Sequence, residues 1–144
     1  MKSRICCFAV AALLTQVVGF ERGFADSQVA VAGRPYTVTV APVSASKGQP
    51  AQAAVVIKPG AGYHINEEFP TKLSLKPVAG VQLAKADLSK SDAKLSKNEG
   101  RFDVTLTATE TGKKTVSGEL RFAVCTESTC EPQSTQIRIE VSVK

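Results

Sequence analysis

Alternation of apolar and polar residues with a period of two is the feature that most constrains the fold of this chain. It runs through four segments: PYTVTVAPV, RFDVTLTA, ELRFAV and QIRIEVSV. Such a period is typical of β-strands that have one buried face and one solvated face. The residues predicted to point inward are Tyr36, Val38, Val40, Phe102, Val104, Leu106, Ala108, Leu120, Phe122, Val124, Ile137, Ile139, Val141 and Val143.

Turn-forming residues separate these strands and set the fold class. Glycine- and proline-containing stretches occur near Gly48, at residues 59–62, at Gly100 and around Gly112, and AAVVIK and TKLSLKP supply further short strands. Seven to nine strands in a chain of this length predict an all-β, antiparallel sandwich of immunoglobulin type. The polar stretch AKADLSKSDAKLSKN is compatible with a loop, an edge strand or one helical turn.

The N-terminus has the layout of a secretory signal peptide. Lys2 and Arg4 precede a short apolar run that ends in small residues at Gly23 and Ala25, which predicts cleavage after residue 25. A signal anchor is the alternative, although polar residues interrupt the apolar run. Cleavage would remove Cys6 and Cys7 and leave a single domain, residues 26–144, without stable membrane insertion.

Composition argues against several classes of function. Lys and Arg exceed Asp and Glu by 18 to 13, but the lysines are dispersed, which does not indicate a nucleic-acid partner. His64 is the single histidine, and we favour its interpretation as a strand residue near a turn; a role as a proton donor or metal ligand is the alternative. With so few soft or nitrogen ligands, no metal site is predicted, and no motif indicates a cofactor.

Cys125 and Cys130 flank a short turn in FAVCTESTCEPQ. An exported chain enters an oxidising compartment, so we expect the two to be paired. The strand alternation predicts that both point to the solvated face, where closely opposed hairpin residues approach disulfide geometry. If the bond is structural, closing a loop of about 6 residues adds roughly 2 kcal/mol to the folding stability on the chain-entropy model. From the residues alone, a structural bond and a redox-active bond stay equally open.

The motif CTESTCEP, with GAGYHINEEFPTKL about sixty residues earlier, resembles the N-terminal domain of the DsbD family of periplasmic thiol:disulfide interchange proteins. The resemblance implies an immunoglobulin-like fold, a periplasmic location and a redox role for Cys125 and Cys130, with Pro132 after the second cysteine. This chain has Glu131, Pro132 and Gln133 where the family often has an aromatic or aliphatic residue and two prolines. Because full-length family members add a membrane domain and a thioredoxin-like domain, we expect a separate protein to supply the electrons.

The predicted chemistry is that of a relay. Glu127 and Glu131 are the charged residues nearest the cysteines in sequence, and negative neighbours disfavour a thiolate. We therefore expect a partner's activated thiolate, from a thioredoxin-like domain or a membrane reductase, to attack the disulfide, and the dithiol to reduce oxidised periplasmic proteins. Family resemblance also implies a loop over the site, to which Glu67, Glu68 and Phe69 correspond, with Phe69 and Glu68 as the covering residues; packing of Phe69 into the edge of the sandwich is the alternative. The rival hypothesis is a non-enzymatic binding or assembly domain with an inert hairpin disulfide.

Overall fold

The computed structural model describes residues 34–144, which form two β-sheets packed face to face. The predicted signal peptide lies outside the described residues. The strands, in chain order, are β1 (Tyr36–Val40), β2 (Val43–Ala45), β3 (Pro50–Pro59), β4 (His64–Ile65), β5 (Lys72–Leu75), β6 (Val81–Leu83), β7 (Asp87–Ser89), β8 (Ala93–Leu95), β9 (Gly100–Ala108), β10 (Gly112–Cys125) and β11 (Cys130–Val143). A short 3₁₀ turn, Lys90–Asp92, links β7 to β8.

The strand order confirms the predicted immunoglobulin-like sandwich. One sheet has the order β1-β3-β9-β6, with β8 also paired to β9, and the other has the order β2-β11-β10-β5-β7, with β4 also paired to β10. The order β1-β3-β9-β6 matches the ABED sheet of an immunoglobulin domain, and β11-β10-β5 matches its GFC sheet, which β2 and β7 extend at the two edges. All pairings are antiparallel except that of β2 with β11, because the first strand of the domain crosses from one sheet to the other.

Eleven strands, instead of the predicted seven to nine, occur among the described residues. The excess comes from interrupted strands. β1 and β2 divide the first strand between the two sheets, and β4 and β5 pair with the same strand, β10, at separate places. The polar stretch at residues 84–98 contains all three of the predicted alternatives, since it holds β7, the 3₁₀ turn and β8.

The core consists of the inward faces predicted from the alternation. Phe102, Leu106, Leu120 and Phe122 are fully buried, as are most of the other predicted inward residues of β9, β10 and β11. The inward residues of β1 are only half-buried, because β1 is an edge strand. Even so, the ring of Tyr36 meets that of Phe122 edge-on, with centroids 4.8 Å apart, and so joins the two sheets.

Candidate functional site

Cys125 and Cys130 form a disulfide at the end of the long β10–β11 hairpin. The two residues are directly opposite each other in the ladder, with Cα atoms 4.0 Å apart. The next pair toward the turn, Thr126 and Thr129, is hydrogen-bonded: the Thr126 amide donates to the Thr129 carbonyl at 2.8 Å. Because hydrogen-bonded and non-hydrogen-bonded pairs alternate along an antiparallel ladder, the cysteines occupy the closer, non-hydrogen-bonded type of pair.

Pro132 does not break the register of β11. It lies opposite Ala123, two residues from Cys130 and therefore in the same type of pair. At such a position β10 needs no amide proton from β11, so the proline is accommodated without loss of a ladder bond. Pro132 is exposed on the same face of the sheet as the two cysteines.

The two sulfurs differ sharply in burial, which corrects the prediction that both are solvated. Cys130 is exposed, but only 3% of Cys125 is accessible. Cys125 does point to the outer face of the sheet, as predicted, because it alternates with the inward-pointing Val124. Ala123 points to the same outer face and is also buried. A second layer of chain therefore covers this end of the outer face. Serine at position 125 would place a hydroxyl in a buried site, so alanine is the milder substitution there.

The covering layer is a loop that leaves the sheet between β4 and β5. Ile65 lies opposite Val124 and Lys72 lies opposite Arg121, so residues 66–71 span a stretch of β10 that is only two residues long. The excess chain folds over the outer face. Asn66 anchors it, since its amide donates to the Ala123 carbonyl at 2.9 Å and its side-chain Nδ2 lies 3.8 Å from Cys130 Sγ.

An open hollow of about 270 Å³ lies at the disulfide. It is lined by His64, Ile65, Asn66, Glu67, Glu68, Lys97, Cys125 and Cys130. Lys97 belongs to the turn between β8 and β9, and its carbonyl accepts a bond from the Ile65 amide at 2.9 Å. The sequence analysis missed Asn66 and Lys97. Neither lies near a cysteine in the chain, and no period or motif marks them.

The charges around the disulfide also differ from those predicted. Glu131 lies opposite the inward-pointing Val124, so its side chain is on the other face of the sheet from the cysteines. Glu127 is at the exposed tip of the hairpin. The carboxylates that line the hollow are Glu67 and Glu68, and the ammonium of Lys97 accompanies them.

The predicted covering residues lie in the loop but in different surroundings. Glu68 lines the hollow, its side chain is 95% exposed, and its carboxylate is 3.9 Å from the Lys90 ammonium. The Glu68 amide donates to Asn66 Oδ1 at 2.9 Å, which shapes the loop. Phe69 is half-buried and is not among the described residues that line the hollow. A covering role for Phe69 therefore stays a prediction, whereas Asn66 contacts a sulfur directly.

His64 is a strand residue near a turn, as predicted. It opens β4, two residues after Gly62, whose φ of +79° suits a glycine. It also lies directly opposite Cys125 in the ladder, a placement that no pattern in the sequence indicates.

Comparisons with known proteins show no family. No family model matches the chain, and no curated protein matches it. Solved structures with some likeness include AggA, the major subunit of aggregative adherence fimbriae type I from Escherichia coli, with 14% identity and a TM-score of 0.42 over 76% of this chain and 95% of that one. Trypsin-activated alpha-2-macroglobulin from Escherichia coli has 13% identity and a TM-score of 0.40, with 76% of this chain matched to 7% of that one.

The CooA pilin subunit from enterotoxigenic Escherichia coli is similar at 8% identity and a TM-score of 0.31, over 77% of this chain and 99% of that chain. With TM-scores this low, none of these similarities identifies a function. Within residues 34–144, no helix has the length and apolar character that a membrane crossing requires.

Proposed function

We propose that this β-sandwich domain is an exported thiol–disulfide exchange module, with Cys125 and Cys130 as its redox pair. The observation that carries the proposal is the unequal burial of the two cysteines: both line the open hollow, but Cys130 is exposed and Cys125 is only 3% accessible. Exchange rates depend on which sulfur an incoming thiolate can reach. A bond with one open and one covered sulfur directs attack to Cys130.

The exchange step follows from that geometry. The thiolate of a partner dithiol attacks Cys130 Sγ, a new disulfide forms between the partner and Cys130, and the Cys125–Cys130 bond breaks. The electron pair of that bond stays on Cys125 Sγ, which leaves as a thiolate and is then protonated. The partner's second thiolate attacks its own sulfur in the mixed disulfide and releases Cys130. The partner is thereby oxidised to a disulfide, and two electrons reside on the cysteine pair.

The partners belong to two classes. A thioredoxin-like domain or a membrane reductase supplies the electrons, and oxidised periplasmic proteins accept them. Support comes from the resemblance of CTESTCEP and GAGYHINEEFPTKL to the N-terminal domain of the DsbD family, and from the loop at residues 66–71, which limits access to the disulfide. Acidic Glu67 and Glu68 beside the bond repel stray anionic thiols such as glutathione.

A binding or assembly domain with an inert hairpin disulfide is the second candidate function. Two facts favour it: the fold is an immunoglobulin-like sandwich, and the disulfide lies within a continuous ladder that extends from Cys125 and Cys130 to Gly112 and Val143. A bond of this kind needs no exchange partner.

The reduction potential separates the two candidates. It is measured by equilibrating the full chain in redox buffers and titrating the fraction of oxidised pair. A potential near −230 mV or above supports exchange, and one well below about −300 mV is that of a structural bond and overturns the proposal.

Trapping of a mixed disulfide tests which sulfur is attacked. The probe is a thioredoxin-like protein that retains one of its two active-site cysteines, with its remaining thiol activated as a mixed disulfide with a chromophoric thiol. Cys125→Ala, which leaves exposed Cys130, should give a covalent complex with this probe at least about tenfold faster than Cys130→Ala, because access governs exchange. Equal rates, or a faster reaction of Cys130→Ala, would contradict attack at Cys130.

A further inference from the structure

His64, Cys125 and Cys130 form a row across three neighbouring strands. His64 on β4 lies directly opposite Cys125 on β10, which lies directly opposite Cys130 on β11. Directly opposed residues in antiparallel ladders share a face of the sheet, with Cβ atoms about 4.5–5.5 Å apart. The imidazole is thus placed beside Cys125, on the side away from the open sulfur of Cys130.

The backbone around His64 is held on both sides. Before it, the Tyr63 amide donates to the Gly60 carbonyl at 3.0 Å. After it, the Ile65 amide donates to the Lys97 carbonyl and the Asn66 amide to the Ala123 carbonyl, both at 2.9 Å. Ile65 itself is buried in the core. His64 is half-buried and lines the hollow, so its backbone has a defined place and its side chain is open to solvent protons.

The charged groups around the hollow that contains His64 come from four elements. Glu67 and Glu68 extend from the loop that follows β4, Lys97 extends from the turn before β9, and Glu127 lies at the hairpin tip. Lys90 approaches Glu68 at 3.9 Å from the 3₁₀ turn. Carboxylates outnumber ammonium groups in the hollow itself, so its other charges do not stabilise an anionic sulfur. His64, directly opposite Cys125, is the neighbouring side chain whose type can carry a positive charge at that position.

We propose that His64 stabilises the thiolate of Cys125 as it leaves and donates a proton to it. The inference rests on the proposed exchange function and deepens it. As the attacking sulfur bonds to Cys130 Sγ, the electron pair of the broken bond remains on Cys125 Sγ, and the imidazolium proton passes to that sulfur, leaving neutral His64. In the reverse direction neutral His64 takes the proton from the Cys125 thiol. Thiol–disulfide exchange is faster when the leaving sulfur forms a more stable thiolate, and an adjacent imidazolium stabilises the thiolate of cysteine.

The test compares rates of disulfide reduction by dithiothreitol in the wild type and in His64→Gln across about pH 6 to pH 8.5. The thiolate fraction of dithiothreitol is the same for both proteins at each pH, so the ratio of the two rates reports His64 alone. Histidine changes its charge in this range. We expect the wild type to be reduced roughly tenfold faster near pH 6 and at a similar rate near pH 8.5. A ratio that stays constant with pH, or a variant that is reduced as fast as the wild type, overturns the proposal.

Two further variants serve as matched controls. His64→Lys carries a positive charge throughout the range, so it should be reduced faster than His64→Gln by a factor that does not change with pH. Lys97→Gln removes the other cation of the hollow, and its rate relative to the wild type should also not change with pH. If either control shows the pH-dependent ratio expected for His64→Gln, the effect does not arise from the imidazole.

A second readout uses the reduced protein without any exchange partner. In the chain of residues 26–144 with Cys130 replaced by alanine, Cys125 is the one remaining cysteine, so the ultraviolet absorbance of the thiolate titrates it alone. His64→Gln should shift that titration to higher pH, and an unshifted curve would contradict the proposal. A reduction potential as low as that of a structural disulfide would refute the exchange function but leave this result standing. Successful trapping with an unshifted titration would refute only the role of His64.

Discussion

Reduction of the Cys125–Cys130 bond should cost this domain less than about 2 kcal/mol of unfolding free energy. The bond joins residues separated by five positions, and the chain-entropy model assigns roughly 2 kcal/mol to a closed loop of about 6 residues. That figure is an upper value here, because the turn is also held by the Thr126 amide bond to the Thr129 carbonyl and by the Thr129 amide bond to Thr126 Oγ1 at 3.1 Å. The same free energy corresponds to about 40 mV in the reduction potential, so folding makes the bond only slightly harder to reduce.

Urea unfolding of the oxidised and the reduced wild type measures this cost directly. In the chain of residues 26–144, the double variant Cys125→Ala, Cys130→Ala is the matched control that contains no thiol. Because Cys125 is buried, loss of its sulfur should cost about 1 kcal/mol of stability beyond the loss of the bond. The free energy of unfolding of the reduced wild type should therefore lie between those of the oxidised protein and the double variant. A loss above about 4 kcal/mol, or unfolding on reduction at 25 °C, would refute the reasoning and make the disulfide a structural staple.

Two other predictions concern stability away from the disulfide. Thr71 is buried, and its Oγ1 has no hydrogen-bond partner among residues 34–144. Thr71→Val, which keeps the shape and removes the hydroxyl, should raise the free energy of unfolding by about 1 kcal/mol. A loss of stability in urea unfolding would contradict this. A bond from the Lys85 ammonium, at 2.6 Å, together with the Ser89 amide lowers the pKa of Asp92 from 3.8 to about 2. Because the folded-state pKa is the lower one, Asp92 stabilises the fold above about pH 4 and loses that contribution as pH falls to 2. The difference in thermal midpoint between the wild type and Asp92→Asn should therefore shrink over that interval, and a difference that persists at pH 2 would contradict the assignment.

The alternation was sufficient to predict the sandwich and most of its core, because a strand with one buried face must repeat its apolar residues every second position. It identified β9, β10 and β11 and the inward faces that contain Phe102 and Phe122. It could not predict β4, which has only two residues and therefore no period. Nor could it predict that β4 pairs with the end of β10, since that contact joins residues about sixty positions apart.

The same limitation explains the error about Cys125. Strand parity predicts the face to which a side chain points, but burial of that face depends on what lies over it. Here the cover is supplied by residues 66–71, and Asn66 reaches Cys130 Sγ only because Ile65 and Lys72 are fixed to β10 on either side. The acidic character of the site was predicted from Glu127 and Glu131, whereas Glu67 and Glu68 line the hollow. In both cases neighbours in space, not in sequence, determine the chemistry.

The interruption between β4 and β5 has an evolutionary consequence. Both ends of the loop are joined to β10, so the sheet is complete without the intervening residues, and changes in loop length or sequence there disturb few core contacts. Surface loops of this kind accept insertions at little thermodynamic cost. Residues 66–70 can therefore diverge between relatives, or be replaced in the laboratory, to change which thiols reach Cys130 while the sandwich that carries the cysteines is conserved.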